Sequence, residues 1–290
     1  MCIAMETILP LSVLDVIQQL NLQFKDKREF RNDGNKYNKR RNDRNKAPTE
    51  PFNATVIQKK EGIDVTIGSI KTNLFKLTDK NTSLITPIIM EDIDKVMKDA
   101  TEEEQMKVLN DIFNTMTVNK IFSAIYSKLY KCCYDKYDIF KTKLSDEIMK
   151  YKNNLKTIVF VSVNESYEEF CKYNTSNETR KAKTSLFTNM MKEGIISMNK
   201  LEELLQYVCD ELDKKMQTEG NKEVVEELSE NVFLFLSLTK YEMKKQNKLE
   251  KWKAYVESMS KKSTSQYKSY SSRTKFKYMD ILDIYNGKSR

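Results

Sequence analysis

Apolar residues recur every three or four positions along most of this chain, and this spacing constrains the fold more than any other feature. It is the period of an amphipathic helix, and one segment after another repeats it. Six glycines and four prolines among 290 residues are too few for a turn-rich β-sandwich or a glycine-loop nucleotide fold. The chain is therefore expected to be an all-α protein.

Several helix boundaries carry local signals. Thr101 and Glu104 have the spacing of a capping box. Thr86 followed by Pro87 is typical of a helix start. Gly194 suits a left-handed cap that ends one helix and turns the chain into the next, which predicts an antiparallel hairpin.

The body of the chain contains four clear apolar stripes. They are Met106, Leu109, Ile112 and Phe113; Val118, Ile121, Phe122, Ile125 and Leu129; Leu201, Leu204, Leu205, Val208, Cys209 and Leu212, after a start at Asn199 with Glu202; and Val224, Val225, Leu228, Val232, Phe235 and Leu236. Lys156–Val163 is rich in β-branched residues, but no partner strand is evident, so it is predicted to be part of a buried helix.

Helix pairs of this kind must bury their apolar faces against neighbouring pairs, as they do in helical-repeat proteins. The 224 residues from Ile67 onward allow about five units of a HEAT-type repeat, which has about 40–47 residues. We therefore predict a HEAT/ARM-type solenoid of about five antiparallel helix pairs over 67–290, preceded by an anchoring linker over 51–66. A globular helical bundle is the alternative.

The composition argues against an enzyme. The absence of histidine excludes histidine-based acid–base chemistry and histidine metal ligation in this chain. No P-loop, glycine-rich dinucleotide turn, G-x-S-x-G motif or metal-spaced cluster occurs in the sequence. We expect no catalytic residue, no metal and no cofactor.

Cysteine usage and hydropathy point to a cytoplasmic protein. The five cysteines contain no CxxC pair, and four lie in helical patterns, so reduced and buried thiols are expected. No apolar run approaches the ~18 residues of a membrane span, and the first residues make a poor signal peptide. We expect no membrane partner.

Residues 25–50 form a basic arm. Lys25–Lys46 carries ten Lys or Arg against four Asp or Glu and lacks a hydrophobic repeat, so the arm is predicted to be disordered. It suits RNA contact through phosphate pairing and aromatic stacking, with a solvated linker as the alternative. The candidate RNA-binding residues are Arg28, Arg31, Lys36, Tyr37, Lys39, Arg40, Arg41 and Arg44.

Residues 1–24 contain a short amphipathic helix ahead of this arm. Ser12 and Asp15 resemble a capping box. An isolated helix of this length is marginally stable in water, so we expect it to fold on a partner or on the main domain. Its apolar face is formed by Val13, Val16, Ile17 and Leu20.

Four stretches, in this order, resemble the middle domain of eukaryotic translation initiation factor 4 gamma. They are Lys71–Asn81 (KTNLFKLTDKN), Asn119–Tyr130 (NKIFSAIYSKLY), Thr179–Ile196 (TRKAKTSLFTNMMKEGII) and Ser271–Asp283 (SSRTKFKYMDILD). The resemblance covers roughly 52–287. It implies a right-handed HEAT-repeat crescent that binds a DEAD-box RNA helicase of the initiation factor 4A type and touches mRNA without performing chemistry.

The resemblance also assigns residues. Leu74 and Leu77 match leucines that contact the helicase, with core packing as the alternative. Phe52 lies where the family often places an aromatic that anchors the preceding segment to the helicase. The N-terminal helix is a candidate site for a cap-binding protein. Arg273 is expected to form a buried or half-buried pair with Asp280 or Asp283.

These observations predict a translation-initiation scaffold that binds and stimulates a helicase of the 4A type. The alternative is an adaptor of the same fold in another RNA step: splicing, nonsense-mediated decay, deadenylation or translational repression. Lys275, Lys277 and the lysines of 244–262 are expected to form a solvated basic face, with an RNA groove as the alternative.

Overall fold

The computed structural model describes residues 62–288, and this part of the chain is all-α, as predicted. A single 3₁₀ turn, Lys120–Phe122, accompanies its ten α-helices. The helices are α1 (Ile63–Lys76), α2 (Thr82–Asp99), α3 (Glu102–Met116), α4 (Ser123–Lys136), α5 (Asp138–Lys156), α6 (Tyr167–Lys192), α7 (Met198–Gln217), α8 (Lys222–Lys245), α9 (Leu249–Lys261) and α10 (Ser272–Tyr285).

The helices pack in a regular order that is compatible with a helical solenoid. The even-numbered helices form one row, because α4 packs against α6, α6 against α8, and α8 against α10. The odd-numbered helices make the other contacts: α5 packs against α7, and α9 packs against α8 and α10. At the other end, α1 packs against both α2 and α3.

One continuous hydrophobic core runs through these layers. The two predicted stripes on α7 and α8 are entirely buried, because both helices pack against each other and against a further neighbour. The stripe that begins at Val118 is only partly buried. Val118 and Ile121 lie in the connection before α4 and are 64% and 76% exposed, so assigning them to a core face was wrong.

Two of the predicted boundary signals are confirmed. The Thr101 side chain accepts a hydrogen bond from the Glu104 N–H (3.3 Å), and the Glu104 carboxylate accepts one from the Thr101 N–H (2.9 Å). Gly194 has a φ of +73° and ends the turn after α6, as the hairpin prediction required. These local hydrogen bonds satisfy backbone groups that a helix end otherwise leaves unpaired.

Two predicted helix starts were wrong. Pro87 lies inside α2, which begins one turn earlier. The Asn81 side chain accepts a hydrogen bond from the Thr78 N–H (2.7 Å) and donates one to the Lys76 carbonyl (2.8 Å), and this turn sets the earlier start. At α7 the cap is Ser197 rather than Asn199, because its hydroxyl accepts a hydrogen bond from the Lys200 N–H (3.2 Å).

Three further expectations are corrected. Lys156–Val163 is a connection rather than a helix: α5 ends at Lys156, Ile158 is buried and Val159 is 70% exposed. Cys133 and Cys209 are buried, but Cys132 and Cys171 are exposed. The Arg273 side chain is 71% exposed and pairs with Glu226 of α8 (3.4 Å), so it forms no buried pair.

None of the helices within 62–288 has the length and apolar character needed to cross a bilayer.

Replacing Gly194 tests the hairpin turn. A Cβ at this position meets no atom within 4 Å, so Gly194→Ala introduces only the strain of a left-handed backbone, about 1–2 kcal/mol. Gly194→Asn is the matched control, because asparagine tolerates this conformation, as Asn247 does here with a φ of +56°. Urea unfolding should show a clear loss of stability for the alanine variant and a smaller loss for asparagine. Equal losses would contradict the assignment.

Candidate protein-binding surface and buried ionic network

Most of the predicted binding residues lie outside the described residues, so these assignments stay predictions. They are Phe52 of the linker; Val13, Val16, Ile17 and Leu20 of the N-terminal helix; and Arg28, Arg31, Lys36, Tyr37, Lys39, Arg40, Arg41 and Arg44 of the basic arm.

Leu74 and Leu77 lie in the core. They are 0% and 1% exposed, and the Tyr126 hydroxyl donates a hydrogen bond to the Leu74 carbonyl (3.3 Å). This is the core-packing alternative: neither side chain is available to a partner in this conformation. Phe75, between them, is 62% exposed. Any partner contact by this segment therefore has to use Phe75 and its exposed surroundings.

The ends of α1 and α3 lie together. Asp64 pairs with Lys107 (2.8 Å), and Lys71 pairs with Asp111 (2.8 Å), so the two helices run in the same direction. Their last turns therefore lie at one end of the domain. Phe75, in the last turn of α1, and the exposed Val118, just after α3, are both at this end.

The start of α2 and the approach to α4 lie at the same end. The Asn81 hydrogen bonds tie the start of α2 directly to the end of α1. Phe122 packs against Tyr126, with ring centroids 6.1 Å apart, and Tyr126 is the residue bonded to Leu74. Ile121 precedes Phe122 in the chain and therefore lies at this end of the domain.

We call this exposed set the apolar end. Its members and their exposed fractions are Phe75 (62%), Leu84 (72%), Ile88 (47%), Val118 (64%) and Ile121 (76%). Large apolar side chains that gather on a surface commonly mark a protein-binding site. The periodicity assigned Val118 and Ile121 to the core. The one local signal that the helical pattern is interrupted there is Asn119, whose side chain accepts a hydrogen bond from the Ile121 N–H (3.0 Å).

Lysines of the predicted basic face are partly engaged within the domain. Lys277 pairs with Glu230 (3.0 Å) and lies over the Phe233 ring. Lys251 pairs with Glu202 (2.8 Å), and Lys248 binds the same carboxylate. These three lysines are anchored to acidic residues of the domain.

A buried ionic network occupies the contact between α5, α6 and α8. The Glu147 carboxylate accepts hydrogen bonds from Lys143 (2.5 Å) and Lys183 (2.7 Å). Arg180 lies 3.8 Å from Glu227, measured from Nε to Oε1, and also binds Asn177. The side chains of all five charged residues are no more than 10% exposed.

A series of side-chain hydrogen bonds links Glu227 of α8 through α6 to Tyr151 of α5. The Tyr151 and Thr184 hydroxyls are 2.7 Å apart. Thr184 donates to the Asn231 side-chain oxygen (2.7 Å), and the Asn231 amide donates to the Glu227 carboxylate (3.2 Å). Buried polar groups are stabilising only when they are paired, so this chain holds three helices in a single register.

The two buried carboxylates have opposite electrostatics. Burial alone would raise the pKa of Glu147, but the hydrogen bonds and charges of Lys143 and Lys183 outweigh it and lower this pKa to about 2. Burial raises the pKa of Glu227 to about 7, because the nearby Lys181 and Arg180 charges compensate it only in part. Glu147 is therefore ionised at neutral pH, whereas Glu227 is close to half protonated.

The described residues offer few reactive groups. Burial raises the pKa of the Cys209 thiol to about 12 and that of the Cys133 thiol still further, so both are unreactive. No group of three or more His, Cys, Asp or Glu side chains within 62–288 is arranged to hold a metal ion. What this part of the chain presents is a surface for contacts and a buried set of charges.

The chain matches no protein-family model, and a search of curated proteins finds no significant match.

Leu74 and Phe75 should differ sharply in their effect on stability. Leu74→Ala removes a fully buried side chain and should lower the free energy of unfolding by roughly 2–5 kcal/mol. Phe75→Ala, one residue along the same helix, should change it by less than about 1 kcal/mol. Urea unfolding of the two variants measures both values. A large loss for Phe75→Ala would show that Phe75 packs in the core.

The stability of the protein should depend on Glu227 through pH. The pKa of Glu227 is about 7 when folded against an ordinary value of 4.5, so the folded state binds the proton more tightly. Its contribution is fully present below pH 4.5 and is lost as pH rises to about 7, a fall of about 3 kcal/mol. Glu227→Gln removes this dependence.

The measurement is the difference in unfolding free energy between Glu227→Gln and wild type, taken at about pH 4.5 and again above pH 7. Relative to wild type, Glu227→Gln should be more stable at the higher pH than at the lower one. Glu223→Gln, on the same helix, is the control and should leave the pH profile unchanged. A pH-independent difference for Glu227→Gln would contradict the raised pKa.

Proposed function

We propose that this chain is a translation-initiation scaffold that binds and stimulates a DEAD-box RNA helicase of the initiation factor 4A type and contacts mRNA. The observation that carries the proposal is a coincidence of position. The segment that resembles the helicase-contacting helix, Lys71–Asn81, lies at the apolar end, where five large apolar side chains are exposed.

The chemistry of this surface suits a protein partner. Interfaces depend on a few large anchors in a desolvated centre, and aromatic side chains are enriched among them. Phe75 is the aromatic candidate, and Leu84 and Ile88 follow at helical spacing on α2. Because the buried Leu74 and Leu77 fix the end of α1 in the core, Phe75 is presented from a rigid base.

A domain of stacked helices can act without chemistry of its own. Stacked helices present extended surfaces, so one scaffold can hold two parts of a partner in a fixed relation. The helicase supplies the catalytic step, and the scaffold changes the population of its active arrangement. The basic arm over 25–50 would add salt-dependent contacts to mRNA.

The test is calorimetric titration of the full chain with a purified helicase of the 4A type. The Phe75→Asp and Ile121→Asp variants each place a charge at the apolar end and should weaken binding at least about tenfold, because a carboxylate would have to be desolvated at the interface. Met149→Asp is the matched control, since Met149 is 64% exposed on α5, outside the apolar end. It should bind as wild type does.

Two results would redirect the proposal. If the wild-type chain does not bind a helicase of the 4A type, the adaptor role in splicing, decay, deadenylation or repression becomes the favoured function, and other DEAD-box helicases are titrated next. If helicase binds but all three variants bind equally, the apolar end is not the contact. Circular dichroism of each variant checks that a loss of binding is not a loss of fold.

A further inference from the structure

A cavity of about 310 Å³ lies between the end of α5, the connection that follows it and residues 173–183 of α6. This volume is at the lower end of the roughly 300–1,000 Å³ found for small-molecule sites. Arg180 and Lys183 are among its lining residues, and no Asp or Glu is. Arg180 and Lys183 are therefore the only charged residues in its lining.

The floor and the rim of the cavity differ. Arg180 and Lys183 are 7% and 8% exposed and form its buried, cationic floor. Polar side chains that reach solvent, among them Asn154, Thr175 and Ser176, line it nearer the surface. A ligand can thus enter from solvent and meet the two cations at the bottom.

The buried charges around this floor do not balance. The network holds three cations, Lys143, Lys183 and Arg180, against two carboxylates. Both lysines share the single carboxylate of Glu147. Burying an uncompensated charge is costly, so a network with a surplus cation favours a bound anion.

Arg180 supplies the unpaired donor. Its Nε is buried and lacks a hydrogen-bond partner among the described residues, since Glu227 at 3.8 Å is too distant for one. The partial protonation of Glu227 that follows from its raised pKa weakens this pairing further. A guanidinium with free N–H donors matches the oxygens of phosphate groups.

We infer that this cavity binds a phosphate group, held by Arg180 and Lys183 at its floor. A second cavity, which shares Tyr173 with the first, differs from it in charge. Its lining contains Glu178, Glu223, Glu226, Glu227 and Glu230 together with Lys181 and Arg273, whereas no carboxylate lines the first cavity. The site is independent of the apolar end, which is built from α1 to α4.

The experiment is a titration of the full chain with inorganic phosphate, and sodium chloride keeps the ionic strength constant. Thermal unfolding and calorimetry follow the binding. Phosphate should raise the melting temperature in a saturable way, because it binds only the folded state. Equal stabilisation by sodium chloride alone would overturn the proposal.

Variants at the rim avoid disturbing the core. Thr175→Glu places a carboxylate at the exposed rim and should weaken phosphate binding about tenfold or more, through like-charge repulsion and occupation of the cations. Ser145→Glu is the matched control: Ser145 is exposed, lies on α5 outside the cavity and, like Thr175, donates to a backbone carbonyl four residues earlier. Equal effects of both variants would overturn the site.

The source of the phosphate is distinguished by four further probes. Adenosine monophosphate that binds as well as inorganic phosphate, with adenosine inactive, assigns the site to a free phosphate compound. A 5′-phosphorylated hexaribonucleotide that binds more tightly than both, and than its 5′-hydroxyl counterpart, assigns it to an RNA end. If the Thr175→Glu variant no longer distinguishes these ligands, the cavity is supported as the binding site. If the variant still distinguishes them, the proposal is overturned.

Discussion

The burial of the C-terminal part of α6 on all sides is the constraint on which the rest of the described domain depends. Residues 182–191 are all buried, although many of them are polar, because α4, α7 and α8 surround this helix. Each polar group therefore needs an internal partner. Thr184 is bonded to Tyr151 and Asn231, and the Asn189 amide donates to Ser123 (2.9 Å). These directional contacts fix the register of the central row more narrowly than apolar packing alone would.

The same arrangement separates two kinds of surface. At the N-terminal end of the domain, helix ends meet and leave large apolar side chains uncovered, which suits a protein partner. At its centre, the network around Glu147 and Arg180 buries more positive than negative charge beside an open cavity, which suits an anion. The two surfaces use different helices, so a change at one should leave the other intact. A domain with both could bind a protein and a phosphate group at once.

The predictions from sequence that were wrong failed for a common physical reason. Thr86 and Pro87 carry a start signal, but the Asn81 side chain stabilises an earlier turn and overrides it. The connection after α5 is β-branched and apolar, yet Ile158 is buried while Val159 is exposed, a choice made by the neighbouring helices. In each case a contact from elsewhere in the chain, or a side chain not included in the local pattern, decided the conformation. Periodicity describes one segment at a time and does not include such contacts.

The sequence by itself determined the all-α class, the stripes of α7 and α8, the Thr101 capping box and the turn at Gly194, because periodicity, capping and left-handed glycine act within a few residues. Outside these stripes, only the tertiary structure decided which side chains are covered. It buried Leu74 and exposed its neighbour Phe75, and it brought Glu147 of α5 to Lys183 of α6. Burial and ion pairing depend on residues far apart in the chain, and the energy of a charge depends on what surrounds it.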